Sequence, residues 1–182
     1  MEKVKIKLRN GLVVEGDKFD MEDYKKLKEI FRDWVAINAK LKPLGGRGLN
    51  VPDVFSEALF CIFFNAIRTN GTAYSYDSVS LDTHAGIQVK SASIPNDCTS
   101  FGPTSTWDEI YYVDFAPNGK VDGKVVFYKI DRDFSGLVLN AKKGETFHDQ
   151  QLQGRRPRFS MKSQLIKAYD IKPCLTIDLL ED

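Results

Sequence analysis

An amide and an ammonium group stand two positions apart in a short stretch of alternating apolar and polar residues. The stretch covers residues 77–93, DSVSLDTHAGIQVKSAS, and the pair is Gln88 and Lys90. Because successive side chains of a β-strand point to opposite faces, this spacing places both groups on one face of one strand. Gln88 and Lys90 could then reach the same small ligand, which makes them candidates for a functional site.

Two carboxylates could complete such a site. Asp77 opens the stretch, and Glu57 lies in the almost wholly apolar run VFSEALFCIFFNAIRTNG, which predicts a buried helix from Asp53 that stops at Asn70-Gly71. A carboxylate in apolar surroundings is costly unless it is paired, hydrogen-bonded or bound to a metal. The alternative is that Glu57 only interacts with the helix dipole near the first turn.

These groups indicate metal-assisted chemistry. The carboxylates of Asp77 and Glu57, the amide oxygen of Gln88 and the backbone carbonyl of Val89 form an all-oxygen set suited to Mg²⁺. Lys90 beside such a metal would stabilise a developing negative charge or help to deprotonate a bound water. The set is typical of the hydrolysis of a phosphodiester.

Strand and helix patterns surround these residues. Alternation across Asn10-Gly11 predicts a β-hairpin over residues 4–15, and Asp20 is placed to cap an amphipathic helix that reaches Leu41. Strands are predicted over residues 73–81, 87–94, 109–115, 124–130, 136–139 and 174–180, with a turn over 82–86. We expect a single α/β domain over residues 1–182, with a mixed central β-sheet flanked by helices and preceded by the hairpin and helix.

Composition excludes several classes of site. The 182 residues, of which 42% are hydrophobic, suffice for one sizeable core. Three widely spaced cysteines favour reduced thiols over a disulfide framework, and two histidines exclude a histidine-rich metal site. With no apolar signal-peptide stretch and no run as long as a membrane span, we expect a cytoplasmic protein with no membrane association.

Positive charge is concentrated near the carboxyl end, although the whole chain has a net charge of only +1. Residues 150–169 include several arginines and lysines but no acidic residue. Within them, Ser160 could cap a helix that runs to about Tyr169. Such a segment is suited to phosphates or to guanine edges, although a plain solvated surface is the alternative. We predict DNA contacts from this segment, from Arg47 in a glycine-rich loop and from Ser91, which follows Lys90. The predicted DNA-binding residues are Arg47, Ser91, Arg155, Arg156, Arg158, Ser160 and Lys162.

The spacing of Asp77 from Gln88-Val89-Lys90, after a helix that carries Glu57, resembles the PD-(D/E)xK nuclease superfamily, which includes most type II restriction endonucleases. The resemblance covers about residues 52–115. It implies that Asp77 is the metal-binding Asp, Lys90 the catalytic Lys, Gln88 the residue in the acidic position and Glu57 an additional helical acid.

The sequence departs from the superfamily pattern at Gln88, where an amide replaces the usual carboxylate. A neutral oxygen binds Mg²⁺ less strongly, so Glu57 would supply more of the charge. The literal Pro52-Asp53 suits a helix start better than the motif. Asp82 is an alternative to Asp77 for the motif Asp, and Asp108 and Asp114 are further acids whose part in the site stays open.

The resemblance implies a small type II restriction endonuclease that uses Mg²⁺ to cut double-stranded DNA at a short palindromic site, such as the GC-rich GCNGC. A homodimer would supply one active site for each strand, with the helix over residues 24–41 as the candidate contact. The alternatives are a structure-specific repair or recombination nuclease of the same superfamily, and a DNA-binding module without catalysis.

Overall fold

The computed structural model describes residues 1–45, 48–69, 75–95 and 97–181. The α-helices are α1 (Met21–Leu41), α2 (Asp53–Phe63) and α3 (Phe147–Leu152), with a 3₁₀ turn at Lys42–Leu44 and a π-type helix at Lys162–Lys167. The strands are β1 (Glu2–Lys7), β2 (Val13–Lys18), β3 (Ala66–Thr69), β4 (Ser78–Ser80), β5 (Gly86–Ala92), β6 (Thr99–Ser100), β7 (Glu109–Asp114), β8 (Lys124–Lys129), β9 (Val138–Asn140), β10 (Glu145–Thr146), β11 (Arg158–Phe159) and β12 (Leu175–Asp178).

An eight-stranded sheet forms the centre of the molecule, in the order β1-β2-β3-β4-β5-β7-β8-β12. Strands β5 and β7 run parallel, and the other neighbouring strands described in this sheet are antiparallel. Two small sheets, β9 with β10 and β6 with β11, lie outside it. The prediction of a mixed central sheet flanked by helices is confirmed, but the predicted strand at 136–139 belongs to a small sheet rather than to the central one.

The amino-terminal hairpin and helix are also confirmed. Gly11 has a φ of 87° in the turn between β1 and β2, a conformation that glycine adopts without strain. The Asp20 side chain accepts hydrogen bonds from the backbone N–H groups of Glu22 and Asp23, so it caps α1 as predicted. On α1, Leu27 and Phe31 are buried, and the Phe31 ring stacks with that of Phe55 in α2 at 6.3 Å between centroids.

The predicted buried helix is shorter than its pattern indicated, and this part of the prediction was wrong. Helix α2 ends at Phe63, Asn65 adopts a left-handed φ of 44°, and the chain continues as β3 between β2 and β4. Asn tolerates the left-handed conformation, which cannot continue an α-helix. The Ile and Thr of β3 are β-branched and suit a strand.

Apolar side chains pack on both faces of the sheet. One cluster joins α1 and α2 to residues such as Val89 and Val113, and a second joins Tyr112 of β7 to Phe101, Phe159 and the π-type helix. Strand β5 lies between the two clusters and carries the predicted amide and ammonium pair.

In the described part of the chain, no helix has both the length and the apolar character needed to cross a bilayer.

Candidate active site

Asp77 lies where β4 and β5 begin to separate. Its backbone N–H donates to the carbonyl of Ile87 at 2.9 Å, but its own carbonyl accepts from Thr69 on the other side, also at 2.9 Å. The backbone N–H of Val89 therefore finds the Asp77 carboxylate instead, and donates to Oδ2 at 2.9 Å. The splayed strands thus fix this carboxylate against the middle of β5.

Gln88 holds the same carboxylate oxygen. Its side chain is buried, and its Nε2 donates to Oδ2 of Asp77. Burial raises the pKa of Asp77 above its ordinary value, against the opposing effects of the Lys90 charge and of the bonds from Val89 and Gln88. A partly buried carboxylate of this kind is stabilised in its charged form by a nearby cation.

Lys90 projects from the same strand, as the two-residue spacing predicted. Its ammonium lies 5.6 Å from the centre of the Phe101 ring, in a cation–π contact on the side of the second apolar cluster. Its charge lowers the pKa of Asp77, so the two groups interact electrostatically. Strand β5 therefore gathers a carboxylate, an amide and an ammonium in one place.

Glu57 lies on α2, close enough to Asp77 for their charges to interact. Its carboxylate is 12% exposed and forms an ion pair with Arg68 of β3, with Nε and Oε2 2.6 Å apart. Burial raises the pKa of Glu57, the charge of Asp77 raises it further, and Arg68 opposes both. The acid in the first turn of α2 is Asp53, so Glu57 has a more specific environment than the helix dipole alone.

Two charged residues that interact with Glu57 were not predicted from the sequence as part of the site. Arg68 was missed because its segment was predicted to be the end of a helix. The available signal for a strand was Asn65, which tolerates a left-handed conformation, together with the β-branched residues Ile67 and Thr69 that follow it. Asp53 does start α2, as predicted, but its charge also raises the pKa of Asp77 and of Glu57. Spacing of one helical turn between Asp53 and Glu57 could have shown that they share a face.

The other acids considered from the sequence have different partners. Asp82 accepts a hydrogen bond from Asn65 at 2.7 Å, and Asp108 accepts one from the backbone of Gly86 at 2.8 Å. Asp114 is only 2% exposed and pairs with Lys162 at 2.6 Å. These three contacts do not involve Asp77, Gln88 or Lys90.

The basic segment reaches the site through a small sheet. Arg158 pairs with Ser100 and Phe159 with Thr99, so β11 runs beside β6. The Phe159 ring stacks on Phe101, at 5.6 Å between centroids, and Phe101 is the ring beneath Lys90. Arg158 is exposed and lies on the strand that makes this connection.

The remaining predicted DNA-binding residues differ in their surroundings. Arg155 pairs with Glu145 at 2.7 Å, and Lys162 also donates to the carbonyl of Ala116 at 2.8 Å. Ser160 is buried and accepts from the backbone of Ser163, which supports the predicted helix start, although the helix is π-type and ends at Lys167. Arg156 is exposed, Ser91 follows Lys90 on β5 and alternates to its other face, and Arg47 lies outside the described residues.

The donor set fits a hard divalent cation that keeps much of its hydration. Within the described ranges, no three acidic, histidine or cysteine side chains are arranged to hold a metal ion by themselves. The Glu57 carboxylate is nevertheless buried and that of Asp77 partly buried, the charge of Asp77 raises the pKa of Glu57, and the Gln88 amide adjoins Asp77. Mg²⁺ binds through one or two carboxylates and retains waters, so this arrangement suits it better than a metal that needs a full protein shell.

Comparison with known proteins is consistent with a nuclease site. A family model described as Bsp6I restriction endonuclease matches residues 19–168. The type II restriction enzyme Bsp6I of Bacillus sp. (strain RFL6) is 31% identical over 164 residues, which cover 89% of this chain and 91% of that enzyme. The FACT complex subunit ctc-1 of Neurospora crassa is 44% identical over 84 residues, or 46% of this chain, but these span only 14% of that subunit.

No solved structure matches the chain. The match to the Neurospora subunit covers too short a part of that protein to bear on function. The family model covers α1, α2, the strands β3 to β11 and the basic segment as far as the π-type helix. It therefore includes Glu57, Asp77, Gln88 and Lys90. The chain belongs to the Bsp6I family of type II restriction endonucleases.

Proposed function

We propose that this restriction endonuclease hydrolyses double-stranded DNA in a Mg²⁺-dependent reaction at the site formed by Asp77, Glu57, Gln88 and Lys90. The observation that carries the proposal is the Asp77 carboxylate, which the Gln88 side chain and the Val89 backbone hold together next to the charge of Lys90. Glu57 supplies a second carboxylate, which is mostly buried, from α2. When bound, Mg²⁺ would supply a Lewis acid for the phosphate and a more acidic water.

Each protein group has a distinct part in this proposal. Asp77 and Glu57 would hold the metal and its waters, and the Val89 carbonyl would contribute a neutral oxygen. In the described conformation the Gln88 amide N–H donates to Asp77 and so orients its carboxylate. Rotation of the amide about its last side-chain bond would exchange its nitrogen and oxygen and turn the oxygen towards a bound metal. Lys90 would orient or deprotonate the attacking water and stabilise the charge that develops on the phosphate.

The proposed substrate specificity is a short palindromic site, with GCNGC as the sequence to examine first. A plasmid of known sequence digested with Mg²⁺ should give discrete fragments, and sequencing of their ends should give one site and one cut position. Chelation of the metal by EDTA should stop the reaction. A smear, or cutting confined to branched or damaged DNA, would instead support the structure-specific nuclease.

The proposed DNA surface centres on the exposed arginines Arg156 and Arg158, with Ser91 and Arg47 as further proposed contacts. Arg155 and Lys162 already form ion pairs within the protein, so DNA would have to displace an acid from each. Ser160 would act through the start of the π-type helix, where its hydroxyl accepts a backbone hydrogen bond. The connection from β11 to the ring beneath Lys90 supports this placement.

Arg158→Ala is expected to weaken DNA binding in a salt-dependent way. If Arg158 contacts a phosphate, the slope of log K against log salt concentration should fall in magnitude by about 0.9, because one fewer counterion is released. If it contacts a base, binding should weaken mainly at the specific site. Fluorescence anisotropy in a Lys90→Ala background, which keeps the DNA intact, measures both.

Lys142→Ala is the matched control for Arg158, since Lys142 is also exposed but lies in the turn between β9 and β10. It should leave the specific affinity almost unchanged. Equal effects of Arg158→Ala and Lys142→Ala would mean that Arg158 contributes only to the general charge of the protein.

We also propose a single domain and a homodimer. Strands near both ends of the chain, β1 and β12, belong to the same central sheet. On α1, Ile30 and Ile37 are 49% and 44% exposed and lie seven residues apart on one face. This apolar surface supports α1 as the contact between two copies, each of which would cut one strand of a palindrome.

A further inference from the structure

We propose that Arg68 is a positioning residue that sets the affinity of the site for Mg²⁺ by acting through Glu57. This inference rests on the metal-dependent cleavage proposed above, and it assigns a role to a residue outside the motif of Asp77, Gln88 and Lys90. It depends on where β3 places the guanidinium group.

Strand β3 places Arg68 beside α2 and next to the start of β4, which follows Asp77. Arg68 is opposite Ser78 in the ladder with β4, and Ser78 directly follows Asp77. Its side chain then reaches α2, where Nε lies 2.6 Å from Oε2 of Glu57. The side chains are 25% and 12% exposed, so most of this ion pair is shielded from water.

The ion pair fixes the direction of the Glu57 carboxylate. The hydrogen bond from Arg68 engages Oε2. A guanidinium group is planar and rigid, so it orients a carboxylate more strictly than an ammonium group does. With Oε2 held towards β3, the other oxygen, Oε1, would be the one that binds a metal ion or a metal-bound water.

The charge of Arg68 also permits two carboxylates to lie near each other. Asp77 and Glu57 repel each other electrostatically in partly buried surroundings, and Arg68 offsets this repulsion from the Glu57 side. Without Arg68, Glu57 would turn away from Asp77, and the metal would lose a preoriented ligand. Residues that orient metal ligands in this way typically contribute about 10- to 100-fold to metal affinity or activity.

The test compares Arg68→Met with Arg68→Lys. For Arg68→Met we expect Mg²⁺ binding to the DNA-free protein, measured by isothermal titration calorimetry, to weaken about 10- to 100-fold. The Mg²⁺ concentration for half-maximal cleavage should rise in parallel, while cleavage at saturating Mg²⁺ should recover most of its rate. Arg68→Lys keeps the charge without the rigid geometry and should give an intermediate affinity.

A double-mutant cycle identifies the route of the effect. In a Glu57→Gln background, Arg68→Met should cause no further loss of Mg²⁺ affinity, because its partner is already altered. Lys129→Met is the matched control, since Lys129 forms a partly buried ion pair with Glu109 in the same sheet. It should leave Mg²⁺ binding unchanged.

The outcomes separate this inference from the proposed function. Unchanged or tighter Mg²⁺ binding in Arg68→Met, or fully additive effects of the two substitutions, would overturn the role of Arg68. Wild-type protein that cleaves DNA without any response to Mg²⁺ would overturn the proposed function itself. Thermal unfolding measured without metal checks that the variants fold. If Arg68→Met does not fold, the Mg²⁺ affinity of Arg68→Lys is the test.

Discussion

Replacement of Lys90 by alanine is expected to lower the rate of DNA cleavage by about 10²- to 10⁴-fold while DNA is still bound. Lys90 interacts electrostatically with Asp77 and projects on the same face of β5 as Gln88. Its loss would remove the group that orients the water or stabilises the phosphate charge, but not the surface that binds DNA. Single-turnover cleavage with enzyme in excess measures the chemical step, and anisotropy measures binding.

Lys129→Ala is a close control for Lys90→Ala. The Lys129 ammonium also lies over an aromatic ring, 5.8 Å from the centre of Tyr111, and belongs to the neighbouring part of the same sheet. We expect it to cleave at nearly the wild-type rate. Full cleavage by Lys90→Ala would remove Lys90 from the site and leave the activity without its proposed catalytic base or charge stabiliser.

Lys162→Met is expected to destabilise the protein by about 3–5 kcal/mol, because it leaves a buried carboxylate without its cation. Asp114 is 2% exposed, and its Oδ2 lies 2.6 Å from the Lys162 ammonium. The same ammonium donates to the carbonyl of Ala116, so the π-type helix is tied to the end of β7. Equilibrium unfolding in urea measures the change in the free energy of unfolding.

The double variant Asp114→Asn/Lys162→Met should recover most of that stability, since neither charge remains buried. Lys167→Met, at an exposed position of the same helix, should have little effect. If Lys162→Met is as stable as the wild type and instead binds DNA with a reduced salt dependence, Lys162 is a DNA contact, as its sequence surroundings first indicated.

Much of the fold was predictable because its signals are local. The Asn10-Gly11 turn, the Asp20 cap and the alternation in β5, β7 and β8 each depend on residues close together in the chain. The same alternation placed Gln88 and Lys90 on one face. The separation of Asp77 from Gln88 likewise led to a site in which the two side chains are in contact.

The parts that were not predictable depend on partners distant in sequence. A continuous apolar run such as the one after Asp53 is compatible both with a buried helix and with a buried strand. The change from α2 to β3, and with it the proposed role of Arg68, was therefore missed. In the basic segment, Lys162 and Arg155 looked alike as exposed cations. Only the fold brings Asp114 to the first and Glu145 to the second.

The pairing of β11 with β6 has a consequence for engineering. Exposed Arg158 and buried Phe159 are adjacent, and Phe159 stacks on the ring that lies beneath Lys90. A redesign of this segment to recognise a new DNA sequence would therefore change residues whose neighbours contact Lys90, the proposed catalytic lysine. Libraries that vary Arg156 and Arg158 but keep Phe159 would change the proposed DNA contacts, and so the sequence specificity, without altering the aromatic contact that bears on the rate of cleavage.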